Sequence, residues 1–468
     1  MSNTIIGHNL LSELKREAQK KRLAGENFFA DKIVNDIFAN AEDIVRKNVV
    51  RKDKQINWSQ KADNVLTSKI TGYPIMLLTL GVILWITISG ANVPSAILAD
   101  VLFRFQDVLT GIFMYLGAPD WLHGVLILGS YRSLAWVVSV MLPPMAIFFP
   151  LFTLLEDLGY LPRVSFNLDH IFKKARACGK QSLTMCMGFG CNAAGVISCR
   201  IIDSPRERLI AILTNNFVPC NGRFPILIAI GMIFGAGALA SHLQSAAVAG
   251  IITGMILIGI AVTFIVSWAL SRTLLKGETS SMVLELPPYR RPKILAVLYR
   301  SFIDRTIFVL RRAVLVALPA GAITWLVSNV YVGEMSILAH TANFLDPVAL
   351  AIGLDGFILL AFILGLPANE IVFPILIMSY LSSGYMIELD SLADLQILLV
   401  SNGWTWLTAL CTMLFCVLHW PCATTLLTAL KETGSKKWSF LAFLIPTGMA
   451  FLVCFIVAQS ARLLGLAP

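Results

Sequence analysis

"MGFGCNAAGV", residues 187–196, interrupts a chain that is otherwise largely hydrocarbon. Three glycines, a cysteine and an asparagine share these ten residues. A lipid-facing helix has no use for this mixture, because glycine weakens a helix interior and an amide in lipid must find a partner. The surroundings make the anomaly informative. Of 468 residues, 57% are hydrophobic and 14% charged, against about 25% charged in soluble domains. Apolar runs occur at 73–89, 134–155, 209–239, 245–270, 313–330, 356–386, 404–430 and 438–458. A membrane span needs ~20 such residues. The composition predicts an all-α, polytopic membrane protein and excludes a soluble fold.

Residues 1–71 are different in kind. They hold 13 Lys/Arg, 9 Asp/Glu and no long apolar run. With no apolar stretch after the first charges, a signal peptide is not expected. In "DKIVNDIFANAEDIVRKNVV" (31–50), Ile33, Ile37, Phe38, Ala41, Ile44 and Val45 fall on one helical stripe. That stripe packs on its own loops or docks a partner. The formal charge of +9 fits basic cytoplasmic loops rather than nucleic-acid binding. Nine cysteines include no CxxC pair, so small-hydrophobe packing is their default and no disulfide framework is expected.

Charge sets the topology. The basic arm is placed in the cytoplasm, so run 73–89 leads outward. Segment 90–132, with two basic residues, is placed outside, with an interfacial helix around "AILADVLFRFQDVL". Run 134–155 returns to a basic stretch. Run 182–198 holds the opening motif, yet the loop after it carries Arg200, Arg206 and Arg208. A re-entrant or broken helix keeps that loop cytoplasmic. Runs 209–239 and 245–270 cross out and back to 272–312, which has nine Lys/Arg and three acids. Run 313–330 leads to an acidic outer loop at 331–355. Run 356–386 poses the same difficulty as the first gate and takes the same solution. Runs 404–430 and 438–458 complete seven full spans beside two re-entrant or broken segments. The organisation is an arm (1–71), a first membrane half (72–270), a cytoplasmic loop (271–312) and a second half (313–468).

The two anomalous segments share a pattern. In "GFGCN" Gly188 stands four before Asn192, and in "GLPAN" Gly365 stands four before Asn369. Each is followed by a span with a Pro-Cys pair, Pro219-Cys220 in "FVPCN" and Pro421-Cys422 in "HWPCA". Under the charge topology the two units enter the membrane in opposite senses, the signature of an inverted-repeat transporter with its site at the midplane. Gly188, Gly190, Pro219, Gly365, Pro367 and Pro421 are the expected helix breaks. A proline removes a helical hydrogen bond, so Pro219 should free the carbonyl of Asn215 and Pro421 that of Val417. Cys191, Cys220 and Cys422 offer sulfur, Asn192 and Asn369 amide oxygen, and Glu370 a carboxylate. Such a set suits a borderline divalent transition metal better than Na⁺ or K⁺. The competing reading is close helix packing on Gly and Cys, with Asn as interhelical glue. His419 is read as a packing residue before a ligand. No phosphate loop occurs: "ACGKQS" lacks the upstream glycine and the Ser/Thr. No enzyme is expected.

Several longer strings resemble the membrane domain of the ferrous-iron transporter B (FeoB) family: "LLEDLGYLPRVSFNLD", "GFGCNAAGVISCRIIDSPRERLIAIL", "RTLLKGETSSMVLELPPYRRP", "LTSKITGYPIMLL" and "GLPANEIVFPILIMSY". The likeness runs from about residue 30 to the end. It implies Fe²⁺ uptake across the bacterial cytoplasmic membrane, with the N-terminus cytoplasmic, Fe²⁺ as transported substrate and no permanently bound cofactor. It carries a G-x-C-type motif onto Gly190 and Cys191 and a second gate cysteine onto Cys220. Family members usually begin with a GTPase domain, which these residues do not include. The resemblance therefore implies a separately encoded GTPase docking on 31–50 and the cytoplasmic loops, or a relict gate protein. A homo-oligomer is left open. The rival readings are a nucleoside-recognition-type transporter of a small organic solute and a non-transporting scaffold or sensor.

Overall fold

A computed structural model describes residues 28–48, 58–68, 70–235, 241–277, 289, 294–295, 299, 301–387 and 391–466. Most of the arm before residue 28, the end of the 31–50 stripe and much of the 271–312 loop lie outside the described residues. Helices dominate. The strands among the described residues form one hairpin, Tyr331–Val332 with Met335–Ser336.

Two arm helices come first, α1 (Phe28–Asn48) and α2 (Trp58–Leu66). Then α3 (Gly72–Tyr115) and α4 (Asp120–Asp157) form an antiparallel pair. A short α5 (Tyr160–Lys174) leads into the first gate, α6 (Gln181–Gly190) and α7 (Asn192–Ser198). The first Pro-Cys span follows as α8 (Pro205–Thr214) and α9 (Phe224–Ile230), and then α10 (Ser241–Arg272). The second half runs α11 (Phe308–Asn329), α12 (Ile337–Ala351) and the second gate, α13 (Gly356–Leu364) and α14 (Val372–Leu381). After α15 (Leu392–Ser401), the second Pro-Cys span comprises α16 (Trp406–Leu418) and α17 (Ala423–Thr433), and α18 (Lys436–Leu463) closes the chain.

Among the described residues seven helices are long and apolar enough to cross a bilayer, or eight if the bent pair Ile337–Ala351 and Gly356–Leu364 is one span. The two Pro-Cys spans, Pro205–Gly235 and Trp406–Thr433, have 72% of their apolar window buried, against 19% for α3. They are the centre of the bundle, and α3 is its lipid-facing edge. Small residues let neighbouring helices close up. A Cβ on Gly321 of α11 would lie 2.3 Å from the Gly129 carbonyl oxygen of α4.

Two expectations are corrected. Segment 90–115 is not an outer loop with its own interfacial helix; it continues the first span. The 44-residue α3 is about 66 Å long at 1.5 Å per residue, twice the ~30 Å hydrocarbon core. Pro94 is absorbed within it, Asp100 and Arg104 pair one turn apart on its exposed face at 2.9 Å, and Ala91 and Gln106 are buried. Second, the acidic loop 331–355 is structured: the hairpin feeds α12, which meets α13 at a bend of 109°. The Pro-Cys spans break where Pro219 and Pro421 predict. Each is unwound at its middle.

Both gates fold back as hairpins, and side chains at their mouths show it. Lys180, before α6, pairs with Asp203, after α7. Asp355, before α13, accepts a hydrogen bond from Tyr380 of α14. The two mouths lie at opposite ends of the bundle. Arg200, at the foot of the first gate, makes a two-pronged ion pair with Glu432 at the end of α17 (2.6 and 2.7 Å). Tyr380, at the mouth of the second, accepts from Trp404 Nε1 just before α16 (2.8 Å). One Pro-Cys span thus touches the first mouth at its end and the second at its start, which is the inverted repeat.

Candidate functional site

Four helix interruptions meet at mid-span. Cys191 separates α6 from α7 with φ −155° and ψ 125°. Ala368, its counterpart between α13 and α14, has φ −154° and ψ 126°. Cys220 has φ −79° and ψ 169°, and Cys422 φ −61° and ψ 157°. The repeat inferred from G-x-x-x-N and Pro-Cys is therefore a repeat of backbone conformation. Cys191 faces Ala368 in the alignment, Asn192 matches Asn369, and Cys220 matches Cys422.

All six proposed metal-contacting residues, Cys191, Asn192, Cys220, Asn369, Glu370 and Cys422, line one cavity of about 30 Å³, room for a water or a bare ion. Met141 and Met145 of α4 close one wall. Glycine permits the close approach. A Cβ on Gly190 would lie 2.3 Å from the Phe148 ring, and one on Gly222 the same distance from the Glu370 carboxylate. Gly188 leaves room for the Asn215 carboxamide, whose oxygen a Cβ there would meet at 3.2 Å, and Gly365 ends α13. Pro367 lines the cavity, while Pro219 and Pro421 lie in the unwound stretches.

Hydrogen bonds fasten the breaks, one across the repeats and the others within a repeat. Asn369 Nδ2 donates to Cys220 Sγ at 3.6 Å. The Ala423 amide donates to the Leu366 carbonyl at 2.7 Å, tying the second Pro-Cys break to its gate. Cys422 Sγ is 3.2 Å from Thr425 Oγ1. Asn215 Nδ2 donates to the Asn192 carbonyl at 3.1 Å, and the Asn192 amide is 3.3 Å from Asn216 Oδ1. Turned over, that amide would reach the carbonyls of Gly188 and Val218 at 3.2 Å. In either orientation it binds gate to break. Among the described residues no three His, Cys, Asp or Glu side chains converge on one point. The donors ring the cavity without forming a closed site.

One expected donor is corrected. The Val417 carbonyl that Pro421 leaves free is taken by Arg223 Nη1 at 2.8 Å. The Asn215 carbonyl accepts from the Val218 amide at 3.4 Å. Arg223, fully buried, is the residue that reading of the sequence missed. Its signal was present, since it is the charge inside the apolar run 209–239. His419 is a packing and capping residue. Nδ1 lies 2.8 Å from the Cys416 carbonyl and 3.1 Å from that of Phe415, and the ring lies between Phe362 and Phe415.

At the arm-side end, Asp63 of α2 joins three elements. It accepts from Arg163 Nε of α5 at 3.0 Å and from Tyr289 OH at 2.8 Å, and the guanidinium lies 4.2 Å over the Tyr289 ring. Burial works to raise the Asp63 carboxyl, but these hydrogen bonds and the Arg163 charge outweigh it and hold it below its ordinary value.

Comparison with known families agrees with this geometry. The family model described as nucleoside recognition, or Gate, matches residues 138–234 and again 310–436, one match per repeat. Residues 252–304 match the model for the ferrous iron transport protein B C terminus. The chain thus carries the Gate domain in two matched stretches and the ferrous iron transport protein B C-terminal domain between them. A Staphylococcus aureus protein named Fe(2+) transporter FeoB is 28% identical over 463 residues, covering 96% of this chain and 64% of the relative. FeoB proteins from Leptospira biflexa (26% identical; 88% of this chain, 61% of the relative) and Methanocaldococcus jannaschii (25%; 92% and 63%) also match. The chain spans less than two thirds of each of these relatives. No solved structure matches it.

Proposed function

We propose that this FeoB-family chain is a ferrous-iron permease whose cargo passes through the cavity at the four helix breaks. One observation carries the reading: three cysteines, two asparagines and a glutamate, drawn from both inverted repeats, line a single mid-span space. Sulfur with amide and carboxylate oxygen suits Fe²⁺ and disfavours Na⁺ or K⁺. Donors that surround a path without closing on it suit an ion that must leave again. The size of the cavity argues against the rival organic solute, since such ligands occupy sites of roughly 300 Å³ or more.

The charge pattern supports a cytoplasmic arm, and the positive-inside rule then orients the first gate toward the cytoplasm and the second toward the outside. A separate GTPase is the partner that fits the arm. Ile33, Ile37, Phe38, Ile44 and Val45 of α1 are exposed, leaving the predicted stripe open for docking.

The test is Fe²⁺ flux in reconstituted vesicles, with the candidate GTPase and GTP supplied. Cys191→Ala combined with Cys220→Ala should abolish flux while leaving the thermal unfolding of the purified protein unchanged. Normal flux in the double variant would sink the site.

A further inference from the structure

Arg223 stands at a depth where a charge is costly, yet every oxygen it donates to is neutral. Nη1 donates to the carbonyls of Asn216 (2.9 Å) and Val417 (2.8 Å). Nη2 donates to Asn216 Oδ1 (3.0 Å) and to the carbonyls of His419 (3.4 Å) and Trp420 (3.3 Å). Nε finds no acceptor among the described residues. Three of these oxygens belong to the unwound end of α16, where a helix leaves carbonyls unsatisfied and its dipole is negative. Pro421 has no N–H to offer Val417. Asn216 is itself fixed, its Nδ2 donating to the His419 carbonyl at 2.5 Å.

Without the guanidinium, five neutral oxygens would line the space that its two terminal nitrogens now fill. That is the donor set of a hard-cation site, built as channels build theirs from backbone carbonyls. We propose that it is a cation cage occupied by a tethered cation: Arg223 plugs an oxygen site beside the thiol-lined cavity. The plug closes that site to free alkali and alkaline-earth ions and leaves the sulfur-rich cavity as the available route. Arg223 is in this sense specificity-determining. It is also a positioning residue, because Asn216 belongs to the first Pro-Cys span and residues 417–420 to the second. The guanidinium sets Cys220 against Cys422. The cage stands independently of the cargo; the selectivity consequence rests on the Fe²⁺ reading.

A structural cap and a plugged cage differ in one respect: a cage can be refilled. Purified Arg223→Ala protein should unfold at a lower temperature than the wild type, and millimolar guanidinium chloride should restore much of the loss. Choline chloride at equal concentration should not, and the wild type should respond to neither. No difference between guanidinium and choline overturns the proposal. Arg223→Lys keeps the charge but not the fork; it should fold, and guanidinium should leave it unchanged. If Arg223→Ala is recovered only when guanidinium is present during purification, and not with choline, the cage is again supported. In vesicles, Arg223→Ala should admit Ca²⁺ that the wild type and Arg223→Lys exclude. An Arg223→Ala protein that passes Fe²⁺ and still excludes Ca²⁺ overturns the selectivity role. Guanidinium rescue in a protein whose wild type carries no Fe²⁺ would retain the cage and refute the cargo.

Discussion

At Gly190 one methyl group decides whether the first gate can seat against α4. The added Cβ would lie 2.3 Å from the Phe148 ring, which is held in a packed core beside Cys191. Overpacking of this kind costs about 1–3 kcal/mol. Gly190→Ala should therefore lower the unfolding temperature, and Phe148→Ala should cost less in that background than in the wild type; equal costs in the two backgrounds contradict the contact. Gly222 is a finer probe because its neighbour is the Glu370 carboxylate. Gly222→Ala should displace that carboxylate and reduce Fe²⁺ uptake by a large fraction, as Glu370→Gln should directly. Uptake at the wild-type rate in both would remove Glu370 from the path. Cys191, Asn192 and Glu370 could be picked out beforehand because sulfur, amide and carboxylate are anomalous in lipid. Arg223 is no less anomalous, but its role depends on oxygens about two hundred positions away in sequence. No local pattern announces that pairing.

Among elements, the gates were legible because a short polar interruption and a loop of the wrong charge contradicted a full crossing. The length of α3 was not. Gly90, Pro94, Asp100 and Arg104 read as the end of a span, yet the helix continues through them, supported by its long contact with α4. The arm helices offer two tests. Replacing Ile37 and Phe38 of α1 by serine should abolish capture of the proposed GTPase without altering the unfolding of the bundle, since both side chains are exposed; unchanged capture would move the proposed docking site elsewhere. On α2, the Asp63 carboxyl is held below its ordinary value. A depressed carboxylate contributes its stabilisation above the unfolded-state value and loses it as pH falls through the folded one. The clasp to Arg163 should persist through mildly acidic pH and open only below the ordinary carboxylate range. Hydrogen exchange across 58–66 should accelerate there. Asp63→Asn should show the faster exchange at every pH.

At the scale of the whole molecule, the cavity joins two halves that enter from opposite ends. Cys191 and Cys220 come from the first half, Cys422 and Glu370 from the second, and no three of the ionisable donors converge. An ion bound tightly by both halves would require them to move together, and an ion that passes requires them to move apart again. Transport by such a repeat is alternating movement of one unit against the other, so a soft ion that bridges the halves should arrest it. Cd²⁺, which prefers thiolate to oxygen, is the suitable probe. Micromolar Cd²⁺ should stop Fe²⁺ uptake by vesicles, and a thiol-rich chelator should restore it. Cys422→Ser should weaken the inhibition strongly, because it leaves cavity-lining thiols on only one half, whereas Cys454→Ser, buried away from the cavity against Cys411, should leave it intact. Equal inhibition of all three proteins would mean that Cd²⁺ acts elsewhere and that the halves are not bridged through this cavity.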